Sequence, residues 1–228
     1  MDALLFAHGL YTRQDEAFLR RLSHDLIIAV DGGLHRLLQL NLRPHVYVGD
    51  VDSADPAQLA ALEREGLRVL RFPRDKDQTD LELAALYAVE RGADTLHFFA
   101  ALGGRWDQSL ANLLLALHPA LRGRRLYFYA DGQVLFPVYR RAVVRGQPGD
   151  TVSFLPLEAP VRGVTLKGFR YLLEDGEFQA GSTLGVSNVL EASEGVVEVR
   201  EGVLLGVHLP QGIQQRIEAG KHSNPKEV

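Results

Sequence analysis

Along the first ~130 residues, short apolar runs alternate with segments whose apolar positions recur at helical spacing, the pattern of βαβ units around a parallel sheet. The runs predict strands at Ala3–His8, Asp25–Val30, His45–Val48, Arg68–Phe72, Thr95–Leu102 and Arg125–Ala130. Between them, helices are predicted at Gln14–Ser23, Leu34–Asn41, Pro56–Glu65, Asp80–Arg91 and Trp106–His118. The last has the clearest periodicity, with Trp106, Leu110, Leu113, Leu114 and Leu117 on one face. Thr79 and Glu82 read as a capping box heading the fourth helix, and Asp55-Pro56 as an N-cap and N1 proline heading the third.

After about Val138 helical periodicity fades and Gly or Pro recurs at short intervals. The segments Thr151–Leu155, Val161–Leu166, Val196–Arg200 and Val203–Leu209 read as short antiparallel strands. The fold class is therefore α/β, with a parallel-sheet domain over residues 1–138 and an all-β domain over 139–228. The polar tail from Ala219 onward is expected to fray.

Composition trims the function classes. No apolar run approaches the ~18–20 residues of a membrane span, and the N-terminus has no basic leader pattern, so a cytoplasmic chain that engages no membrane is expected. Zero cysteines removes disulfides, thiolate metal sites and cysteine nucleophiles together. With 25 Lys+Arg against 29 Asp+Glu the net charge is −4, which argues against a nucleic-acid binder.

Where the acids fall is more informative than their excess. Ligands of an open parallel sheet bind outside the carboxyl ends of its strands. Asp31 follows the second predicted strand, Asp50 and Asp52 the third, Asp75, Asp77 and Asp80 the fourth, and Asp107 the fifth. Carboxylates gathered on one rim repel one another unless cations lie between them, and hard oxygen ligands with phosphates suit Mg²⁺. The pairs Gly32-Gly33 and Gly103-Gly104 also lie at strand ends, where a phosphate can approach main-chain N–H groups. Lys76 and Arg105 stand among the aspartates, either to neutralise phosphate or simply to pair within their loops. Thr79 can cap its helix and contact phosphate at once.

Several common signatures are missing. No G-x-x-x-x-G-K-[ST], G-x-G-x-x-G or G-x-S-x-G occurs in a fitting context, and the eight histidines form no metal-binding spacing and are assigned no role.

Four motifs in order, Asp31-Gly32-Gly33, Gly49-Asp50-Val51-Asp52-Ser53, Asp75-Lys76-Asp77-Gln78-Thr79-Asp80 and Gly103-Gly104-Arg105-Trp106-Asp107, carry a resemblance. With Leu166-Lys167-Gly168-Phe169-Arg170-Tyr171 and Gly185-Val186-Ser187-Asn188 in the second domain, the chain resembles the thiamine pyrophosphokinase family along nearly its full length. The resemblance implies an ATP- and Mg²⁺-binding α/β domain, a β-sandwich that binds thiamine and dimerises, and a homodimer with thiamine between subunits. It implies transfer of a pyrophosphoryl group from ATP to the thiamine hydroxyl, releasing AMP. On that basis Asp50, Asp52 and Asp77 are expected at the metal, and Asp80, Asp52 and Lys76 at the chemistry. Asp31, Gly32, Gly33, Thr79, Gly103, Gly104 and Arg105 are expected to shape the nucleotide site, while Asp80, Ser187 and Asn188 approach thiamine. The sequence departs from the family in having Gln108 where His is frequent, and Trp106 as its one tryptophan. The aromatic wall over thiamine therefore falls to Phe169 or Tyr171, unless these are core. Rival readings are a pyrophosphokinase for another alcohol such as a pterin, a phosphatase using the D-x-D at Asp50, and a non-catalytic nucleotide sensor.

Overall fold

The computed structural model describes residues 1–50 and 55–212. Asp52 and the tail from Ala219 lie outside the described residues. The chain divides into two compact units, Met1–Asp131 and a second beginning at Gly132.

The first unit is a parallel sheet of β1 (Asp2–Phe6), β2 (Leu26–Val30), β3 (Val46–Gly49), β4 (Arg68–Arg71), β5 (Thr95–Phe99) and β6 (Arg125–Ala130). Helices α1 (Arg13–Leu19), α2 (Gly33–Gln39), α3 (Pro56–Arg64), α4 (Asp80–Glu90) and α5 (Trp106–Leu114) alternate with them. The strand order is β4-β3-β2-β1-β5-β6. The central strands β1 and β2 are largely continuous apolar runs, and β5 is buried along its whole length, because both faces of a helix-covered parallel sheet are buried. Leu4, Leu5, Ile28 and Phe98 are fully enclosed, each worth roughly 1.5–3 kcal/mol relative to exposure. Rings stack across the β5–β6 pair, Phe98 on Phe128 and Phe99 on Tyr129, with centroids 4.4 Å apart in both cases.

Inside this stack lies a buried histidine. His97 Nδ1 is 3.0 Å from the Tyr129 hydroxyl. Burial pushes its pKa down from 6.5 to about 4, so it folds as neutral imidazole. The unfolded chain binds a proton there below pH 6.5 and the folded chain does not. Stability is therefore expected to fall as pH drops from about 6.5 toward 4. His97→Gln, which keeps a partner for Tyr129, should flatten urea-denaturation stability across that window; an unchanged slope would count against this assignment.

Helix starts follow the sequence in part. Asp55 accepts from the Ala57 N–H at 3.0 Å, with Pro56 at N1. Thr79 Oγ1 accepts from the Glu82 N–H at 3.2 Å, whereas the Glu82 carboxylate lies 4.0 Å from the His118 imidazole rather than closing a capping box. A box forms instead at α1, where Asp15 accepts from both the Thr12 N–H and its hydroxyl. The predicted fifth helix ends early, tightening to a 3₁₀ turn at Leu115–Leu117. Its apolar face is not core: Trp106, Leu110 and Leu114 are 78%, 59% and 49% exposed, and the buried residue of α5 is Ser109. Among the described residues, no helix is long and apolar enough to cross a membrane.

The second unit is antiparallel. It contains β7 (Gln133–Val138), β8 (Arg141–Arg145), β9 (Thr151–Lys167), β10 (Leu173–Phe178), β11 (Gly185–Val189), β12 (Glu194–Glu198) and β13 (Glu201–Leu209). The predicted strands Thr151–Leu155 and Val161–Leu166 are the two ends of the 17-residue β9. Its N-terminal end pairs with β11 and its C-terminal end with β10 and β12, while β13 spans most of its length. This is the β-sandwich part of an α/β chain, with Phe154, Phe169 and Phe178 in its core. β7 pairs with β13, so the second unit starts ahead of the Val138 change in texture.

Candidate active site

Strands β1 to β4 add successively to one side of the sheet, and the chain then crosses back to place β5 on the other side of β1. The order reverses between β1 and β5, and the loops leaving these strands diverge to opposite faces. That divergence opens a crevice at the carboxyl ends. A cleft of about 660 Å³ lies there, wholly within the first unit.

The cleft gathers most of the acid and glycine motifs. Asp31, at the end of β2, lines it in a left-handed conformation (φ 51°) that aspartate tolerates better than most residues. Its N–H donates to the Val48 carbonyl at 2.9 Å, tying the ends of β2 and β3 together. Asp50 follows β3 and lines the same wall. From the β4–α4 turn come Lys76, Thr79 and Asp80, and from the β5–α5 turn Gly103, Gly104 and Arg105. Gly103 and Gly104 have φ of 85° and 72°, backbone that a side chain would strain. Gly32 and Gly33 are buried behind Asp31, and a methyl on Gly33 would overlap the Phe6 carbonyl oxygen.

The two cations singled out in the sequence arrive with partners. Lys76 Nζ donates to the Pro73 carbonyl at 3.0 Å and lies 3.1 Å from Asp80 Oδ1. That carboxylate oxygen is shut off from solvent and has no directed hydrogen bond, so the ion pair is its only compensation among the described residues. Arg105 forks onto the Asp107 carboxylate at 3.2 and 2.5 Å, holding it below the ordinary carboxylate pKa range. Asp77 is exposed and does not line the cleft.

Four polar residues of the cleft region went unremarked in the sequence, one of them Arg74, which lines it from the β4–α4 turn. Ser109 Oγ accepts from the Gly103 N–H and donates to the Arg105 carbonyl, both at 2.9 Å, so one buried hydroxyl fixes the glycine turn. Asn112 Nδ2 donates to the Ala101 carbonyl at 2.6 Å. His8 lines the cleft at the end of β1, which is where the same strand-end argument that singled out the aspartates would have found it.

Ser187 and Asn188 belong to the second unit. Ser187 is exposed at φ 60°, its N–H donating to Ser153 Oγ at 3.0 Å. Asn188 is 2% exposed. Its Oδ1 accepts from the Tyr171 and Val189 N–H groups, and its Nδ2 donates to the Tyr171 carbonyl at 2.8 Å. This clamp orders the Tyr171 turn and leaves little of the amide to meet a ligand. Phe169 is core, packed edge-on against Phe154 at 5.5 Å, whereas Tyr171 is exposed.

Comparison with known proteins gives this arrangement a family. Residues 21–128 match the family described as "Thiamin pyrophosphokinase, catalytic domain", and residues 141–204 match "Thiamin pyrophosphokinase, vitamin B1 binding domain". A thiamine pyrophosphokinase of Bacillus subtilis (strain 168) is 31% identical over 185 residues, covering 80% of this chain and 86% of that protein. A crystal structure of the B. subtilis enzyme superposes with a TM-score of 0.80 at 26% identity, covering 92% of this chain and 100% of that one. One from Geobacillus thermodenitrificans gives 0.77 at 30% identity, covering 92% and 98%. On the strength of both matched domains and the relative's identity over most of its length, the chain belongs to the thiamine pyrophosphokinase family.

Proposed function

We propose that the cleft at the β1–β5 reversal is where this chain carries out its family's reaction. The chain is an ATP-dependent pyrophosphokinase that converts thiamine to thiamine diphosphate. The observation that carries the site assignment is the convergence of Asp31, Asp50, Lys76, Thr79, Asp80, Gly103, Gly104 and Arg105 on one crevice.

In this reading the triphosphate of ATP lies along the glycine turns. The thiamine hydroxyl oxygen attacks the β-phosphorus. A new P–O bond forms as the bridging oxygen between the α- and β-phosphorus leaves with AMP, and the hydroxyl proton passes to a carboxylate. Positioning and charge neutralisation do most of such work. Asp80, fixed by its ion pair with Lys76, orients the hydroxyl and receives the proton. Lys76 and Arg105 shift part of their charge from Asp80 and Asp107 to the phosphates as these enter.

Mg²⁺ fits the donor set. The wall offers carboxylate oxygens and no sulfur, and the described residues hold no group of three ligands that would form an all-protein cage. Mg²⁺ typically takes one or two carboxylates and completes its shell with water and substrate phosphates. Asp50 and Asp52 would hold it there, where it would neutralise charge on the transferred group. Asp77 does not line the cleft, which supports leaving it out of that pair.

The second unit supplies the thiamine-binding side of the reading, through Ser187 and the turn that Asn188 orders. A homodimer is supported by the exposed apolar side chains of both units, Leu10, Trp106, Leu110 and Leu114 in one and Tyr171, Leu172, Leu184 and Val186 in the other. Light scattering that returned the mass of a single chain would end that part. A cytoplasmic location, with its substrates, belongs to the same reading. The direct test mixes protein, ATP, Mg²⁺ and thiamine and separates the products by chromatography. AMP and thiamine diphosphate are expected in equal amounts, and ATP turnover that ignores thiamine would overturn the reading.

A further inference from the structure

His8 stands apart from the other titratable groups of the cleft. Lys76 and Arg105 each enter with a carboxylate partner, but neither ring nitrogen of His8 has a hydrogen bond or ion pair among the described residues. The residue is exposed, so packing gives the ring little reason to hold its place.

What gives it a place is Gly32. This glycine has φ −58° and ψ −8°, right-handed backbone that any residue adopts, so its torsions demand no glycine. A methyl on Gly32 would instead overlap the His8 ring at Nδ1, Cγ and Cε1. Gly33 is barred from a side chain by backbone, the Phe6 carbonyl, whereas a methyl on Gly32 would meet the imidazole first and displace it. The bare Cα of Gly32 is therefore the seat of the His8 ring, which is held at the end of β1, on the edge of the β1–β5 reversal.

We propose that His8 is a nucleotide-contacting residue, donating an imidazole N–H to a phosphate oxygen of ATP, and that Gly32 serves as its seat. The inference rests on the nucleotide reading of the cleft. Neutral imidazole already carries one N–H donor, so the contact does not depend on protonation. Hydrogen bonds to charged partners are among the stronger ones, and losing this one should weaken ATP binding by roughly ten-fold or more.

The test is calorimetric titration of ATP with Mg²⁺ into the wild-type protein, four single variants and one double variant, without thiamine. His8→Ala is expected to lose about ten-fold in affinity with its melting temperature unchanged. His8→Asn and His8→Gln, which put an amide N–H near Nδ1 or Nε2, should between them recover most of the loss in one case. Gly32→Ala should weaken binding by displacing the ring, and should cost nothing further once His8 is alanine. His8→Ala binding within two-fold of wild type overturns the proposal, as does a loss that neither amide variant recovers. Wild-type protein with no affinity for ATP would instead overturn the reading of the cleft, and the proposal with it.

Discussion

Asp50→Asn is expected to yield a folded protein that makes thiamine diphosphate roughly 10²–10³-fold more slowly. The residue is half-buried at the end of β3, and asparagine keeps its shape, so the fold loses little. The negative charge is what disappears. On the proposed metal assignment, Mg²⁺ would lose one of the carboxylates that would hold it, and with it charge neutralisation at the transferred group. Asp52→Asn is expected to act the same way. The measurement is AMP release at saturating ATP, thiamine and Mg²⁺, beside a thermal melt. Activity within a few-fold of wild type in both variants would sink the metal assignment.

Asp150→Ala should strongly destabilise the second unit. Asp150 is 3% exposed, and its carboxylate accepts from the Gln147 N–H at 2.9 Å, the Gln211 N–H at 2.7 Å and His208 Nε2 at 2.8 Å. Truncation leaves two main-chain donors and an imidazole without their acceptor, so the expected cost is about 3–5 kcal/mol. For a protein of this size that is a melting-temperature drop of roughly 10 °C or more. Burial alone would push the Asp150 carboxyl up, but the three hydrogen bonds outweigh it and hold the group below its ordinary 3.8. A depressed folded pKa means that the stabilisation is complete above the unfolded value. It is lost as pH falls below about 3.8 and through the folded value. This window lies below the one set by His97, so denaturant melts at pH 7, 5 and 3 separate the two. A variant as stable as wild type at pH 7 would refute the role given to Asp150.

Much of the first unit could be read directly because its physics is local. Leu26-Ile27-Ile28-Ala29-Val30 is apolar without alternation because both sheet faces are covered, and the same holds for Ala3–Phe6 of β1. The face of α5 misled for a related reason. Periodicity reports that Trp106, Leu110 and Leu114 lie together, but not what covers them, and in this chain the α/β core does not. In the second unit, Pro156 and Pro160 suggested a break that β9 does not make. Its register with β13 slips between Glu158 and Pro156, and such an irregularity is where a strand accommodates proline. β10 was missed because Leu173–Phe178 is largely polar and exposed, and β11 because Gly185 and Ser187 do not look like strand residues. In the site, the aspartates stood out because carboxylates crowded on one rim need an explanation. Ser109 and Asn112 could not be found this way, since their work is to hold backbone groups that only the folded turn brings near them.

The central place of β1 bears on how the molecule is made. It precedes the other described strands in the chain, yet it pairs with β2 on one edge and β5 on the other. Its second edge stays open until Thr95–Phe99 has been synthesised, so a nascent chain carrying only the first four strands exposes a long apolar edge in the middle of its future core. The crevice cannot exist before that moment either, because one of its two walls is the turn after β5. Ribosome-bound chains stopped before Thr95 should therefore capture no ATP and should lean on chaperones, whereas chains with the whole of α5 outside the exit tunnel should do the opposite. Retention of stalled nascent chains on immobilised ATP, compared for these two lengths, would reveal that order.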